Sequence, residues 1–520
     1  MPPSFSLGLL APLVLLAAAA VLLAQPADRP RGRARLPEIA SLGALALALA
    51  GVVQLLIAGP TTIAFGTGAL APVLRFDAVG ATMTVLVAFI AWIVTRYARS
   101  YMDGEARETR FHVLLLGTLA AVLVVAQAGS LSLLVLAFVG VGIGLRQLLL
   151  FYPERPAARR AATKFALVWH LGDVALAAAA LLLVASLGVG DLAGLAEAAA
   201  AGLSPAGHVA IALVVLAAAL KTAAFPVHGW LTEVMEAPTP VSALLHAGIV
   251  NAGGVLLIRL ADLVQASSGS MAALAMIGGF TALFGAVVML TQSAIKTALA
   301  WSTVSQMGFM LLQCGLGLWA LALLHIFAHS MYKAHAFLSS GGAVQAVAGL
   351  RRPGPVAVPK IGAVLKSFAL ALVLYFGVAA VFTAIEGPKT AQALALGAML
   401  IFGVAYLVAQ GLADTAPAAL TRRTALASLG AAGAYFTFQL AAEALWGPAL
   451  PATPAPGPLE WALIALAVLS FGGVAFAQAL FPLWSHHPAT AGLRVHLANG
   501  LYLNALLDRL IGGFRMAKTN

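Results

Sequence analysis

Charged side chains are scarce in this chain of 520 residues, because Asp, Glu, Lys and Arg together make up only 9% of it. Soluble domains carry roughly 25% charged residues, so the composition excludes a water-soluble globular protein. Hydrophobic residues make up 62% of the chain, and the mean hydropathy is +0.99. We therefore predict an all-α polytopic membrane protein, and its length suits one large helical bundle.

Cysteine is nearly absent as well, since Cys314 is the only one. A single cysteine excludes an intramolecular disulfide, haem attachment through CxxCH and an iron–sulfur cluster held by cysteines. The sequence also lacks a Cys/His/Asp constellation of the kind that binds zinc. We therefore expect no cofactor, no metal and no catalytic site in this chain.

Apolar runs long enough to cross a bilayer recur along the sequence. We predict about fifteen transmembrane helices, at residues 5–24, 39–58, 76–96, 111–128, 131–151, 165–187, 206–225, 240–262, 270–291, 297–315, 317–347, 361–384, 391–412, 424–446 and 459–481. The first run is not preceded by basic residues, as a signal peptide would be, so we assign it as a membrane helix.

Lys and Arg are unevenly distributed between the connecting segments. If the spans alternate in direction, the basic connections all fall on one side: 28–35, 96–110, 153–160, 351–360 and 421–423. Segments 59–72, 190–205 and 447–460, on the other side, contain neither residue. By the positive-inside rule the basic side is cytoplasmic, which predicts a bacterial inner-membrane protein with a periplasmic N-terminus and a cytoplasmic C-terminus. The net charge of +11 is therefore a topology signal and not a nucleic-acid patch.

Residues 493–516 have the pattern of an amphipathic helix. Apolar side chains recur at helical spacing among charged ones, at Leu503, Leu506, Leu507, Leu510, Ile511 and Phe514. Two interpretations remain open: a helix that lies at the cytoplasmic membrane interface, and a docking surface for a partner.

The strongest functional signal surrounds Lys221, which follows a long apolar run. Pro226 interrupts the helix just after it, and Pro238 and Pro240 precede the next helix, which carries His246 in its apolar interior. Ionisable side chains inside hydrocarbon are expensive and commonly mark an ion path. Irregular backbone at that depth is tolerated where it lines a cavity, as in transporters.

Three further apolar segments contain ionisable residues: Asp173 in the first, Lys296 in the second, and His325, His329 and Lys333 on one face of the third. A proton path needs groups that exchange protons near neutral pH. Histidine does so unperturbed, and lysine does so when burial or a nearby cation lowers its pKa. These residues therefore predict a proton relay across the bundle.

Each of these residues also has a plainer interpretation. Lys296 lies near the end of its span, so its ammonium group could simply reach the membrane interface without any role in an ion path. Asp173 could be a structural partner of His170 or Lys164. His325 and His329, four residues apart, also match a helical metal pair, although no carboxylate lies near them in sequence.

Three stretches together resemble the antiporter-like subunits of respiratory complex I and of Mrp antiporters, the family of NuoL and MrpA. They are LKTAAFPVHGWLTEVMEAPTPVSALLHAG (220–248), AIKTALAWSTVSQMGFM (294–310) and LLHIFAHSMYKAHAFL (323–338). The resemblance implies two inverted five-helix repeats with broken helices, at 111–262 and 270–412. The remaining units would be 1–110, 413–485 and the amphipathic helix 493–516.

By this resemblance, Lys221 is the central proton-carrying lysine of the first repeat, and His246, His325 and His329 belong to a central polar axis. The family usually has a glutamate on the fifth span, and Gly140 aligns with that position here, so we expect a missing or rebuilt charge switch, with Asp173 as the candidate. Lys366 is our first choice for the lysine of the second repeat, and Lys389 the second.

The end of the chain, LRVHLANGLYLNALLDRL (493–510), resembles a subgroup of this family, the DabB membrane subunits of inorganic-carbon accumulation complexes. That resemblance implies a cytoplasmic zinc partner like DabA, with a carbonic-anhydrase-like site, whose CO2 hydration is driven by H⁺ flow through this chain. The alternatives are a proton-pumping subunit of a complex I or hydrogenase-like redox complex and a subunit of an Mrp-type Na⁺/H⁺ antiporter. We expect no long lateral helix, which argues against the redox complex.

Overall fold

The computed structural model describes residues 5–24, 35–342, 361–411, 418–480, 484 and 487–511. Within them the chain is helical, apart from a hairpin of two short antiparallel strands, β1 (Thr61–Ala64) and β2 (Val73–Phe76). The helices are α1 (Ala11–Ala24), α2 (Arg35–Ala58), α3 (Ala78–Tyr101), α4 (Glu108–Gln127), α5 (Leu131–Leu149), α6 (Pro156–Leu187), α7 (Leu192–Ala200), α8 (Pro205–Lys221), α9 (Gly229–Thr232), α10 (Thr239–Ala247), α11 (Ala252–Arg259), α12 (Ala261–Gln265), α13 (Ser268–Met289), α14 (Ile295–Gly315), α15 (Trp319–Ser339), α16 (Ile361–Glu386), α17 (Ala391–Gly411), α18 (Ala418–Trp446), α19 (Pro458–Ala479), α20 (Pro488–Ala498) and α21 (Leu503–Leu510).

Each of the predicted spans overlaps helical segments of the described residues. The span 240–262 is divided into α10, a 3-10 turn and α11, and the spans 317–347, 391–412 and 459–481 run past the described residues. Among them, 11 helices are long and apolar enough to cross a membrane, and two shorter apolar helices lie at Pro205–Lys221 and Ala391–Ala405. The molecule is thus an all-helical polytopic membrane protein with 11 to 13 apolar helices. Helices α14 and α15, of 21 residues each, contain the polar residues predicted for the ion path, so the count of fifteen spans stays a prediction.

Helices α13 and α14 pack with their backbones in close approach, because glycines lie where they touch. A Cβ atom added at Gly278 on α13 would lie 2.4 Å from the backbone nitrogen of Leu312 on α14. One added at Gly308 on α14 would lie 2.4 Å from the nitrogen of Ala282. Small residues at such contacts are the usual means of tight helix pairing in membranes, and they fix the position of α14 and its polar side chains.

The helix interruption predicted near Pro226 lies directly after Lys221. Helix α8 ends there, and Ala223 adopts a left-handed backbone conformation with φ of 53°. The short helix α9 and a 3-10 turn at Val234–Glu236 follow before α10 begins. Proline cannot donate a backbone hydrogen bond, which explains why the helix does not continue through this segment.

The prediction of one continuous amphipathic helix over 493–516 is wrong. The structure has two short helices there, α20 and α21, separated by a turn in which Leu501 and Tyr502 are left-handed, with φ of 53° and 60°. A left-handed pair of residues ends a helix, and helical periodicity in the sequence does not reveal such a turn. Phe514 of the predicted apolar stripe lies outside the described residues.

Candidate functional site: ionisable residues inside the bundle

A buried ion pair lies where α8 ends. Lys221 has no exposed surface, and its Nζ lies 2.5 Å from Oδ1 of Asp173 on α6. The second carboxylate oxygen of Asp173 lies 2.9 Å from Nδ1 of His170, one turn earlier on α6. His170 is partly exposed. The three side chains therefore form a short polar line from the bundle interior to its surface, and Asp173 balances a cation that would be costly to bury alone.

Two aromatic rings complete the surroundings of Lys221. Its Nζ lies 4.2 Å from the ring centroid of Trp169 and 4.7 Å from that of Phe138 on α5, distances at which a cation is attracted to a ring face. The indole of Trp169 is held by a 3.1 Å hydrogen bond from Nε1 to the carbonyl of Phe138. Gly142 leaves room for that indole, since a Cβ there would lie 2.5 Å from Trp169 Cδ1.

Gly140, the aligned position of the family's glutamate, faces away from this pair. A Cβ atom added to Gly140 would meet Ala121 on α4 at 3.5 Å. The residue of α5 that contacts Lys221 is Phe138, which is apolar. The carboxylate beside the lysine therefore comes from α6, through Asp173, and not from the fifth predicted span.

A second polar cluster joins α10, α14 and α15. Thr303 on α14 donates a 3.0 Å hydrogen bond to the carbonyl of Leu299, and Nζ of the buried Lys333 donates to the same carbonyl at 2.9 Å. Nδ1 of His246 lies 3.1 Å from the Thr303 hydroxyl. Because that hydroxyl already gives its hydrogen to Leu299, we infer that Nδ1 of His246 is the donor and Nε2 carries the lone pair.

The two histidines of α15 have separate partners. Nε2 of His329 donates to the carbonyl of His246 at 3.1 Å, whereas Nδ1 of His325 lies 2.8 Å from Oε1 of Gln313. Their ring centroids are 6.0 Å apart. In the part of the chain that the structure describes, no group of three His, Cys, Asp or Glu side chains is placed to hold a metal ion.

The two remaining predicted residues lie apart from these clusters. Lys296 is half-buried, and its Nζ lies 3.3 Å from the hydroxyl of Thr239, the first residue of α10. Lys366 lies in the second turn of α16 and is exposed on the surface of the bundle. Residues 343–360 before it lie outside the described residues.

Sequence reasoning missed a third cluster, which surrounds Lys164. This lysine of α6 has no exposed surface, and its Nζ lies 2.5 Å from Oε2 of Glu233 and 2.9 Å from Oδ1 of Asp508 on α21. The position of Lys164 in an apolar helix was a signal of burial. Its partners, however, come from distant parts of the chain, and helical periodicity cannot pair them.

Sequence reasoning also missed a fourth ionic group, around Arg259 and Asp77, which connects parts of the fold. Nη1 of Arg259, at the end of α11, lies 2.8 Å from both carboxylate oxygens of Asp77, which also accepts from the backbone N–H of Gly80 and so caps α3. Arg75 of β2 contacts the same carboxylate at 2.8 Å. This arrangement ties the hairpin to the bundle.

The first two clusters supply the groups that proton transfer requires: two buried lysines, a carboxylate, and histidines linked through hydroxyl and carbonyl oxygens. Each proton-bearing group has a hydrogen-bond partner or a neighbouring ring within a few ångströms. Such an arrangement can hold a proton or another small cation at several depths in the bundle.

Two parts of the chain match known protein families. Residues 128–353 match the family described as "NADH:quinone oxidoreductase/Mrp antiporter, TM", and residues 63–112 match "NADH-Ubiquinone oxidoreductase (complex I), chain 5 N-terminus". The first match contains the pair of Lys221 and Asp173 and the polar cluster of α10, α14 and α15.

Two relatives and one solved structure extend the comparison. The chain is 37% identical to "Probable inorganic carbon transporter subunit DabB2" of Halothiobacillus neapolitanus, over 96% of this chain and 92% of that protein. It is 42% identical to "Probable inorganic carbon transporter subunit DabB" of Hydrogenovibrio crunogenus, over 51% of each chain. A chain of the Mrp complex from Dietzia sp. superposes with a TM-score of 0.63 at 22% identity, covering 97% of this chain and 59% of that one, which shows a shared fold.

Proposed function

Because the chain belongs to the DabB family of inorganic carbon transporter subunits, within the NuoL/Mrp antiporter-like group, we propose that it conducts H⁺ across the membrane and couples that flow to inorganic carbon accumulation. The CO2 hydration itself would take place in a cytoplasmic zinc partner of the DabA type. This chain would then be a transporter subunit without a catalytic site of its own.

One observation carries this proposal: the pair of Lys221 and Asp173 at the end of an interrupted helix. A fully buried ion pair contributes little net stability compared with apolar packing, so its presence in the bundle interior favours a role in ion handling. A helix that ends beside the lysine leaves backbone carbonyls without intrahelical partners, and such ends bind cations in transporters.

The second cluster offers a continuation of the path. His246, Thr303 and Lys333 are linked through the carbonyl of Leu299, and His329 joins them through the carbonyl of His246. We propose that protons pass between these groups and Lys221 through water, and that His325 and Lys296 serve the ends of the path. Lys366 is the weakest member of the proposed set because it is exposed in α16.

The larger organisation is part of the same proposal. Units 111–262 and 270–412 would be the two inverted repeats, with 1–110 and 413–485 as flanking membrane helices and 493–516 as the cytoplasmic end. The distribution of Lys and Arg supports a periplasmic N-terminus and a cytoplasmic C-terminus in a bacterial inner membrane. The partner would dock on the cytoplasmic side, where its substrate CO2 is present.

Reconstitution of the chain with its partner into liposomes tests the proposal. An imposed membrane potential should drive proton uptake, read with a pH-sensitive dye, and Lys221→Ala should lower the rate by about tenfold or more. Arg96→Ala, which removes an exposed cation outside the proposed path, is the control and should leave the rate unchanged. Uptake that requires Na⁺ would instead favour an Mrp-type antiporter subunit, and wild-type liposomes without ion flux would overturn the proposal.

A further inference from the structure

The cluster around Lys164 is built from three separate parts of the chain. Lys164 belongs to α6, Glu233 follows α9 in the interrupted segment, and Asp508 belongs to the C-terminal helix α21. Lys164 is completely buried, and the side chains of Glu233 and Asp508 are 30% and 13% exposed. The site is therefore closed to solvent on the lysine side and reaches the bundle surface through its carboxylates.

The C-terminal segment is held in place by contacts besides Asp508. Nδ2 of Asn504, one turn before Asp508, donates to the hydroxyl of Thr232 at 3.2 Å. Nε2 of Gln292 donates to the carbonyl of Ala498 at 3.2 Å. The polar side of α21 thus faces the interrupted segment. These contacts fix the position of the Asp508 carboxylate.

In the direct contacts of the cluster, one lysine faces two carboxylates. These three groups sum to a formal charge of −1 when all are ionised, and Arg160, one turn earlier on α6, offsets that charge at Glu233. By contrast, Lys221 and Asp173 balance each other. Two carboxylates that share a poorly solvated site with one cation favour the binding of one proton between them.

We propose that Lys164, Glu233 and Asp508 form a further proton-binding site, at the cytoplasmic end of the first-repeat path. The inference rests on the proposed ion conduction through that repeat. The C-terminal helix α21 would then contribute a proton-binding side chain, Asp508, in addition to anchoring the end of the chain.

The position of the site relative to Lys221 supports this assignment. Lys164 and Asp173 lie on the same helix, so from 164 to 173 the separation along the axis is roughly 13 Å at about 1.5 Å per residue. Aromatic rings fill the space between: Trp230 lies 5.4 Å from Phe165 and 6.2 Å from Trp169, centroid to centroid. A proton would cross this apolar layer only when the rings or water move, so the two sites can be occupied separately.

Infrared difference spectroscopy of the intact complex, titrated with pH, tests the inference. A protonated-carboxyl band should appear in the wild type and be lost in both Glu233→Gln and Asp508→Asn. Lys164→Met removes the cation and should move the midpoint of the band upward by about one pH unit or more. Glu154→Gln, which alters a carboxylate that is 59% exposed, is the control and should leave the band unchanged.

The outcomes separate this inference from the proposed function and from misfolding. A band that survives both carboxylate substitutions overturns the site, even if Lys221→Ala abolishes flux. Wild-type complex that shows the band but no flux overturns the proposed conduction alone. Asp508→Glu keeps the charge and should restore the band, so a band that stays absent in a well-folded Asp508→Glu protein also contradicts the inference.

Discussion

Asp173 holds Lys221 in a direct ion pair, Oδ1 to Nζ at 2.5 Å, from the helix next to the one where the family's glutamate usually lies. The pair is completed by His170 on the other carboxylate oxygen. Neutralising this carboxylate would leave a buried cation without a partner, while the helix break and the aromatic rings would stay in place. The roles of charge and of shape at this site can therefore be tested separately.

Asp173→Asn should lower proton flux by about tenfold or more, because an unpaired buried charge costs ~3–5 kcal/mol and favours loss of the proton from Lys221. Asp173→Glu keeps the charge and should retain more flux than Asn. Asp262→Asn, at an exposed carboxylate of α12, is the control for expression and insertion. Equal flux in the Asn and wild-type proteins would mean that Asp173 is only structural.

The link between Lys333 and His246 gives a second prediction. Thr303→Val removes the hydroxyl that joins His246 to the Leu299 carbonyl but keeps the side-chain shape. Flux should fall, while Thr303→Ser should restore it because serine keeps the hydroxyl. Ser302→Ala, on the neighbouring residue of α14, is the matched control. A valine variant with normal flux would exclude this route.

Sequence reasoning located the membrane helices, and the physical reasons are visible at particular positions. Apolar runs of membrane length locate α4 and α5 to within three residues at each end, whereas α6 begins nine residues before its predicted span. The prolines around Lys221 mark the interruption of α8. The sequence left Lys221, His170 and Lys164 open as partners of Asp173, and only the structure shows that Asp173 contacts Lys221 and His170. The Lys164 cluster depends on contacts between distant segments, which no local pattern contains.

The histidines of α15 give a third prediction. His325 and His329 have separate hydrogen-bond partners and lie one turn apart, so water could bridge the gap left by either one. Single alanine variants should reduce flux partially, and the double variant should reduce it much more. If instead each single variant abolishes flux and releases bound metal from the purified subunit, the pair is a metal site. Metal analysis by mass spectrometry decides between the two.

Coupling to the ion gradient gives a fourth prediction. Moving one charge across 100 mV is worth about 2.3 kcal/mol, so a protonophore should stop inorganic carbon uptake as soon as the membrane depolarises. The measurement is uptake of labelled bicarbonate by a carbonic-anhydrase-deficient host that expresses the complex. Uptake that continues after both H⁺ and Na⁺ gradients are abolished would contradict coupling.

The exposed face of α21 gives the last prediction. Its polar side chains Asn504 and Asp508 contact the bundle, whereas Leu506 and Leu510 are 54% and 83% exposed. Apolar side chains on the outer face of a helix that is already anchored suit a protein interface. Leu506→Gln with Leu510→Gln should therefore reduce co-purification of the zinc partner, and truncation after Ser485 should reduce it further.

The control for this prediction is Phe65→Gln with Leu70→Gln, which alters two similarly exposed apolar side chains in the loop between the strands. That loop is on the predicted periplasmic side, so partner retention should not change. If the α21 double variant and the truncated chain both retain the partner at wild-type levels, the exposed leucines contact lipid. The docking surface would then lie on the other cytoplasmic connections, around 96–110, 153–160 and 226–240.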